Sequence, residues 1–199
     1  MLEEYYKFNQ LEAGCDEAGR GCLAGPVYAA AVILDSKNTI PGLDDSKKLS
    51  HAKRDNLRIE IEKSSLAWSV GVVNNEEIDE INILNASFLA MHRAIKGLHM
   101  QPGYLIIDGN RFNPYPNIEH TCVVKGDSKF MSIAAASILA KTHRDDFMMS
   151  INKEIPHYEW NSNKGYPTKS HRSAIAAHGK TKYHRNSFRL LPSQLQIEF

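Results

Sequence analysis

Four acidic residues share a local context that could support chemistry. Each lies at or just past the end of a short apolar run typical of a strand, beside a glycine or a turn; they are Asp16, Glu17, Asp108 and Asp127. Ligand sites gather at strand ends in open α/β sheets, so neighbouring strands would bring these carboxylates to one edge. Crowded carboxylates repel one another and need cations. A set of oxygen ligands without histidine or cysteine favours Mg²⁺ or Mn²⁺ over zinc.

Taken singly, each of these acids has a simpler explanation as a turn-forming residue. Asp127 could cap the helix predicted after it, and Asp108 with its following glycine is an ordinary turn dipeptide. Asp16 and Glu17 pose a geometric problem, because side chains one apart on a strand point to opposite faces. Both reach one site if the strand ends or bulges there, and residues 18–21 (AGRG) would permit this.

The apolar pattern predicts the elements that position these acids. Three strands come first and strands alternate with helices later, which indicates an α/β fold: a mixed sheet flanked by helices, with a small helical C-terminal appendage. The predicted strands cover residues 11–16, 26–34, 66–73, 104–107 and 119–124. The predicted helices cover residues 51–64 with Ser50 as N-cap, a short stretch from 75, then 83–98, 128–151 and 168–177.

Length and composition limit the class of protein. The 199 residues are 42% hydrophobic, which predicts a packed core in one domain or one domain with an appendage. The longest apolar run, residues 27–34, is far shorter than the roughly 20 residues that span a bilayer, and the N-terminus does not resemble a secretion signal. Three cysteines without C-x-x-C spacing argue against a disulfide framework and a zinc site. We therefore expect a cytoplasmic protein without a membrane partner, and a monomer suffices.

Charge is distributed unevenly although the net charge is only +1. Residues 160–197 hold seven basic residues and no acid; they are Lys164, Lys169, Arg172, Lys180, Lys182, Arg185 and Arg189. An acidic body beside a basic C-terminal fifth suits a cation-loaded site next to a surface that grips phosphates, although a solvated basic face gives the same pattern. We predict a catalytic domain over residues 1–155 and a basic, helical, substrate-gripping segment over residues 156–199 packed on it.

Several sequence blocks resemble, in their order, the bacterial ribonuclease HII family. They are residues 15–21 (CDEAGRG), 23–27 (LAGPV), 44–49 (DDSKKL), 107–110 (IDGN), 125–127 (KGD), 133–141 (IAAASILAK), 144–145 (RD) and 165–168 (GYPT). The blocks span about residues 14–170, most of the chain. No motif position departs from the family's pattern.

The resemblance implies a ribonuclease H-like fold and an endonuclease that hydrolyses the RNA strand of RNA/DNA hybrids. It also implies cleavage on the 5′ side of single ribonucleotides in duplex DNA, with 3′-hydroxyl and 5′-phosphate ends, in ribonucleotide removal and RNA primer processing. The carboxylates that would hold the catalytic metal ions are Asp16, Glu17, Asp108 and Asp127. The residues that would read the RNA–DNA junction are Gly19, Arg20, Gly21 and Tyr166.

The chemistry of these residues fits the implied roles. A pair of metal ions can activate a water and stabilise the leaving 3′ oxygen, so none of the carboxylates must be the general base. Apart from helix form, the 2′-hydroxyl is the local group that separates ribose from deoxyribose. Backbone exposed by the glycines beside Arg20 could bond it, and the Tyr166 ring could pack on a sugar that lacks it. Lys47 and Arg20 suit phosphate contacts. Without the resemblance, these positions have simpler explanations. Residues 19–21 would form a hairpin turn, Tyr166 would be a half-buried aromatic residue, and Lys47 and Arg20 would be solvated basic residues.

The end of the chain carries a separate pattern. Gln194, Ile197 and Phe199 form a Gln-x-x-Ile-x-Phe sequence that resembles short peptides that dock on replication sliding clamps. A tail folded back on the domain is the simpler interpretation.

Two other functions stay open on the sequence. A DNA-only nuclease or recombinase of the same fold would cut a duplex that lacks ribose. A non-catalytic hybrid-binding module would bind without cleavage, but four converging negative charges near phosphates give a mere binder no advantage.

Overall fold

The computed structural model describes residues 2–38 and 40–191. Five strands form one sheet in the order β3-β2-β1-β4-β5. They are β1 (Glu12–Ala18), β2 (Val27–Ile33), β3 (Ala67–Val73), β4 (Tyr104–Asp108) and β5 (Glu119–Val123). The first three strands are antiparallel, whereas β4 runs parallel to β1 and β5 parallel to β4. The mixed sheet predicted from the sequence is confirmed.

Helices cover both faces of this sheet. The α-helices are α1 (His51–Ser64), α2 (Asn75–Gly97), α3 (Met131–Glu154), α4 (Trp160–Asn163) and α5 (Lys169–His178). Alternate residues of β2 separate two apolar cores: Ala29 and Ala31 pack with α2, whereas Ala30 and Val32 pack with α1 and α3. Strand residues alternate between faces, so a strand buried on both sides reads as an uninterrupted apolar run.

Local sequence signals account for most element boundaries. The Ser50 side chain accepts the N–H of Lys53 and caps α1, as predicted. Asn82, at φ 65°, divides α2 into the short and long helices that the sequence predicts. α3 begins at Met131, later than predicted, because Gly126–Ser128 form a separate 3₁₀ turn.

A close approach fixes β1 against α3. A Cβ atom on Gly14 would lie only 2.3 Å from the backbone carbonyl carbon of Ser132, so the glycine permits this contact. The alanine-rich face of α3 is buried here, with Ala135 and Ala136 fully enclosed. The strand that carries Asp16 and Glu17 therefore has a fixed position against the longest helix.

The part of the C-terminal segment within the described residues packs on the rest through an apolar cluster. Tyr158, Trp160 and Ile175 contact Leu23, from the loop between β1 and β2, and Met148 of α3. The cluster draws on residues from both sides of position 155. The division of the chain at that position stays a prediction.

Two further findings concern the chain as a whole. Cys15 and Cys22 are buried and Cys122 is half-buried, and all three are free thiols. Within residues 2–38 and 40–191, no helix combines the length and apolar character needed to cross a membrane.

Candidate active site

One cleft, with a volume of about 260 Å³, lies at the carboxyl ends of β1 and β4. Its lining residues are Asp16, Glu17, Ala18, Gly19, Arg20, Gly21, Ser46, Lys47, Asp108, Ser137, Lys141 and Tyr166. Every predicted site residue but Asp127 is among them. Asp127 joins the cleft through Lys47, whose Nζ lies 3.1 Å from its Oδ2.

Asp16 and Glu17 lie inside β1, so the expected strand end or bulge at this point is wrong. β1 keeps its register with β2 to its last residue, whereas its pairing with β4 stops at Cys15. The β4-facing edge of β1 is therefore open from Asp16 onward. By alternation, Asp16 belongs to the face that α3 covers and Glu17 to the face that α2 covers. The two side chains reach the same cleft from opposite sides of this edge.

Backbone hydrogen bonds orient two of the carboxylates. The Glu17 N–H donates to Asp16 Oδ1 at 2.7 Å, and the Gly126 N–H donates to Asp108 Oδ1 at 2.7 Å. Asp108 is the last residue of β4, so the second bond ties this strand end to the 3₁₀ turn that contains Asp127. Phe130 is the N-cap residue of α3 and makes no side-chain cap. The helix-capping explanation for Asp127 is therefore wrong.

Burial and repulsion make the ionised carboxylates costly. Burial, with the charges of Glu17 and Asp108, raises the pKa of Asp16 well above its ordinary value. Burial also raises the pKa of Glu17, although the nearby Arg20 offsets part of the rise. The pKa of Asp108 is raised by burial and by repulsion from Asp127, against the opposing Gly126 hydrogen bond.

The donor chemistry of the cleft fits a divalent cation. All four acids offer hard oxygen ligands, and a cation would relieve the repulsion that raises three of their pKa values. Two of the acids are paired with basic side chains. Arg20 Nη1 lies 3.1 Å from Glu17 Oε1, and Lys47 Nζ lies 3.1 Å from Asp127 Oδ2. Within the described residues, no three acidic, histidine or cysteine side chains are grouped so that they could hold a metal ion as they stand.

Residues 19–21 and Tyr166 line the same cleft as the acids, and we call them its second wall. Gly19 has φ +95°, and a Cβ there would lie 2.1 Å from Arg144 Nε, so glycine is required. A Cβ on Gly21 would meet nothing within 4 Å, so the space beside it is open to a ligand. Tyr166 is 42% exposed, and its ring centroid lies 6.0 Å from the Arg144 guanidinium carbon.

Three further polar residues line the cleft and have no role predicted from the sequence. Ser46 and Ser137 are buried, and their hydroxyl oxygens are 3.0 Å apart at the back of the cleft. Lys141 lines the cleft and pairs with the buried Asp145 at 3.3 Å. All three lie in the family-like blocks at residues 44–49 and 133–141, which was the available signal.

The predicted basic surface at the C-terminus needs one correction. Arg185 is fully buried, and its guanidinium donates to the backbone carbonyls of Gly19, Arg20 and Gly25. It cannot contact a phosphate outside the protein. A charged residue counted from the sequence as surface is part of the interior because three carbonyls replace its water.

The order and directions of the five strands, with the acids of β1 and β4 at one edge, agree with the ribonuclease H-like fold of solved ribonucleases H2 and HII. The ribonuclease HII family profile matches residues 13–191. Ribonuclease HII of Bacteroides thetaiotaomicron is 63% identical over 202 aligned residues, and that of Parabacteroides distasonis is 62% identical over 199; both alignments cover 100% of each chain. The ribonuclease HII of Archaeoglobus fulgidus, solved as a complex with PCNA, superposes with a TM-score of 0.76 at 26% identity, covering 93% of this chain and 98% of that one.

The chain therefore belongs to the ribonuclease HII family. It is a ribonuclease, a hydrolase with ribonuclease H activity on RNA/DNA substrates. Enzymes of this family depend on divalent metal ions.

We expect Asp16→Asn to raise the unfolding midpoint at neutral pH in metal-free buffer by about 2–4 °C, as for a gain of about 1 kcal/mol. Burial and neighbouring carboxylates raise the pKa of Asp16, so its neutral form is favoured in the folded state and ionisation opposes folding. The stability associated with the neutral carboxyl is lost as pH rises through the folded-state pKa. At low pH the wild-type carboxyl is neutral as well, so the difference in unfolding midpoint between Asp16→Asn and the wild-type protein should shrink as pH falls.

Thermal unfolding in EDTA between about pH 8 and about pH 4 measures this effect. Glu60→Gln is the control, because Glu60 is an exposed carboxylate on α1 outside the cleft. A gain for Asp16→Asn that is the same at both ends of the pH range would contradict the electrostatic origin.

Proposed function

We propose that this enzyme cuts on the 5′ side of single ribonucleotides in duplex DNA and within the RNA strand of hybrids, leaving 3′-hydroxyl and 5′-phosphate ends. The observation that carries the proposal is that one cleft joins Asp16, Glu17 and Asp108 to residues 19–21 and Tyr166. Acids that suit metal ions thus share one cleft with the residues that suit junction reading. Ribonucleotide removal and RNA primer processing follow from this specificity.

In this proposal the carboxylates hold Mg²⁺ or Mn²⁺. Bound metal would activate the attacking water and stabilise the leaving 3′ oxygen. Two basic side chains of the protein pair with the acids. Arg20 and Lys47, which are 50% and 77% exposed, form ion pairs with Glu17 and Asp127. When a phosphate enters, these exposed side chains can turn from their carboxylates to the substrate, which frees the carboxylate oxygens for the metal.

The other wall of the cleft supplies the selectivity. Open space beside Gly21 lets a ribose approach the backbone, whose polar groups can bond a 2′-hydroxyl. The half-exposed Tyr166 ring offers an apolar surface to the next sugar, which fits closely when that sugar is deoxyribose. The junction is thereby recognised as one sugar with a hydroxyl followed by one without.

We further infer that the chain works as a monomer in the cytoplasm. Residues 1–155 act as the catalytic domain and residues 156–199 as the segment that grips the substrate. The exposed basic residues of that segment, rather than Arg185, would contact phosphates.

We expect Asp16→Asn and Asp108→Asn each to reduce the rate of cleavage at least about 100-fold. Replacing a residue that only hydrogen-bonds to a metal ligand can already reduce activity by up to about that factor. Duplex binding should largely survive, because it rests on basic residues. The assay uses DNA with one ribonucleotide in Mg²⁺ and in EDTA, with mapped product ends, and Glu60→Gln as control.

Three outcomes of this assay would count against the proposal. Near wild-type cleavage by both variants would refute the metal-site assignment. Cleavage of the all-DNA duplex would favour a DNA nuclease. Binding of the ribonucleotide-containing duplex by the wild-type protein, without cleavage in Mg²⁺ or Mn²⁺, would indicate a hybrid-binding module.

We expect Tyr166→Ala to reduce cutting at a single embedded ribonucleotide more than cutting of a long hybrid, because a long hybrid offers many sites without a junction. Tyr166→Phe keeps the ring and should retain most of the preference. The measurement is kcat/KM on both substrates. Equal losses on the two substrates would exclude a junction-reading role for Tyr166.

A second proposal concerns the C-terminal tail. Gln194, Ile197 and Phe199 lie outside the described residues, so the clamp-like pattern rests on sequence. The Archaeoglobus relative solved in complex with PCNA supports a sliding clamp as a partner.

We expect deletion of residues 194–199 to weaken binding to the sliding clamp of the same organism at least about 10-fold, as for loss of an anchoring aromatic. Ribonucleotide cleavage by the free enzyme should be retained. Glu198→Ala, between the pattern positions, is the matched control. Unchanged clamp affinity after the deletion would exclude this docking mode.

A further inference from the structure

Residues 183–187 (YHRNS) connect the loop of residues 19–26, which we call the cleft loop, to α2. The Gly25 N–H donates to the Tyr183 carbonyl at 2.8 Å, and the Arg185 N–H donates to the Leu23 carbonyl at 2.9 Å. Further along, Asp79 of α2 accepts the backbone N–H groups of Asn186 and Ser187 at 2.8 Å each. This short segment is therefore held between the loop of residues 19–26 and α2.

The Arg185 guanidinium donates hydrogen bonds to three backbone carbonyls of the cleft loop. Its Nε donates to the Gly25 carbonyl at 3.0 Å, its Nη1 to Arg20 at 2.9 Å and its Nη2 to Gly19 at 2.8 Å. Burial lowers the pKa of Arg185 to about 10, which leaves it cationic at neutral pH. A planar guanidinium fixes three acceptors at once, whereas an ammonium on a flexible stem does not fix their geometry.

The adjacent His184 is linked to the Tyr166 backbone through a second histidine, His171. Because an indole N–H can only donate, Trp160 Nε1 at 3.0 Å makes His171 Nε2 an acceptor. His171 Nδ1 then carries the proton and donates to the Tyr166 carbonyl at 2.9 Å. His184 Nδ1 accepts the Thr181 N–H at 2.9 Å, so its protonated Nε2 faces His171 Nε2 at 3.3 Å. It shares the single lone pair of that nitrogen with the closer Trp160 Nε1.

Both imidazoles are suited to remain neutral in this chain of hydrogen bonds. Burial lowers the pKa of His171, and burial together with His171 lowers the pKa of His184 to about 4. The acceptor and donor positions are therefore the same throughout the neutral range.

We propose that His184 and Arg185 are positioning residues that hold Tyr166 and residues 19–21 in one mutual arrangement, on which discrimination of the RNA–DNA junction depends. The inference rests on the junction-reading roles proposed for Tyr166 and residues 19–21. Arg185 is fully buried and His184 nearly so, and neither lines the cleft, so they act through the residues they hold.

Tyr166 and residues 19–21 are far apart in the chain. The Leu23 N–H donates to the Gly165 carbonyl at 2.7 Å, and Arg144 bonds the carbonyls of Ala24, Pro26 and Lys164. His184 and Arg185 add a further link between the two segments, through the Tyr166 carbonyl and the carbonyls of Gly19 and Arg20.

The consequence for the reaction is specific. A misplacement of about 1 Å can cost about 100-fold in rate when a reaction depends on geometry. Cleavage at a single ribonucleotide needs Tyr166 and residues 19–21 at once, whereas cleavage within a long hybrid depends less on Tyr166. Loss of the arrangement should therefore change the preference between substrates more than it changes the chemistry.

Arg185→Lys tests this directly, because lysine keeps the positive charge and removes the planar guanidinium that bonds three carbonyls at once. We expect the ratio of kcat/KM for a single-ribonucleotide duplex to that for a long hybrid to fall about 10-fold, well short of a full 1 Å misplacement. Both substrates are assayed with one preparation, so the folded fraction cancels in the ratio. Arg93→Lys is the matched control, since Arg93 on α2 also donates to a backbone carbonyl but lies outside the cleft lining.

A second pair of variants decides the question if Arg185→Lys does not fold. His184→Leu removes the donor toward His171, whereas His184→Gln keeps an N–H donor at a similar position. The ratio should fall in His184→Leu and recover in part in His184→Gln. A wild-type ratio in both Arg185→Lys and His184→Leu would overturn the inference.

Tyr166→Ala in the same assay separates this inference from the proposed function. A reduced ratio in Tyr166→Ala, with wild-type ratios in Arg185→Lys and His184→Leu, overturns the positioning role and leaves junction reading in place. Wild-type ratios in all three variants overturn both. A ratio reduced in all three supports both.

Discussion

The structure of the site depends on an open strand edge. β1 continues to Ala18, but its hydrogen bonding to β4 stops at Cys15, so its last residues expose backbone toward the end of β4. This edge lets Asp16 and Glu17, on opposite faces, serve one cleft, and it places both beside Asp108. The tight contact of Gly14 with α3 keeps the edge in place. Without that offset between strand lengths, the acids would be divided between two sides of a sheet.

The concentration of acids has an energetic cost that the fold tolerates. Burial and mutual repulsion raise the pKa values of Asp16, Glu17 and Asp108, so their ionised forms work against folding. Arg20 and Lys47 offset part of this cost through ion pairs. Such destabilised clusters are typical of sites where function, not stability, determines the residues. A bound divalent cation would relieve the same repulsion.

The two walls of the cleft have different physical origins. Sheet register positions the acidic wall, whereas buried polar contacts with the C-terminal segment position the wall formed by residues 19–21 and Tyr166. Arg185 is central to the second wall, because its buried charge is satisfied by loop carbonyls. Buried polar networks of this kind specify one geometry, since each broken contact leaves an unsatisfied group.

The sequence by itself determined the elements and the family, because apolar periodicity, caps such as Ser50 and the ordered motif blocks are local signals. It also predicted most of the residues that the cleft brings together, although their roles stay predictions. Tertiary structure decided the rest. The ion pair of Asp127 with Lys47 joins residues distant in the chain, and the regular register at Asp16 is set by β2. The burial of Arg185 follows from carbonyls contributed by a distant loop, and residue type alone suggests a solvated charge.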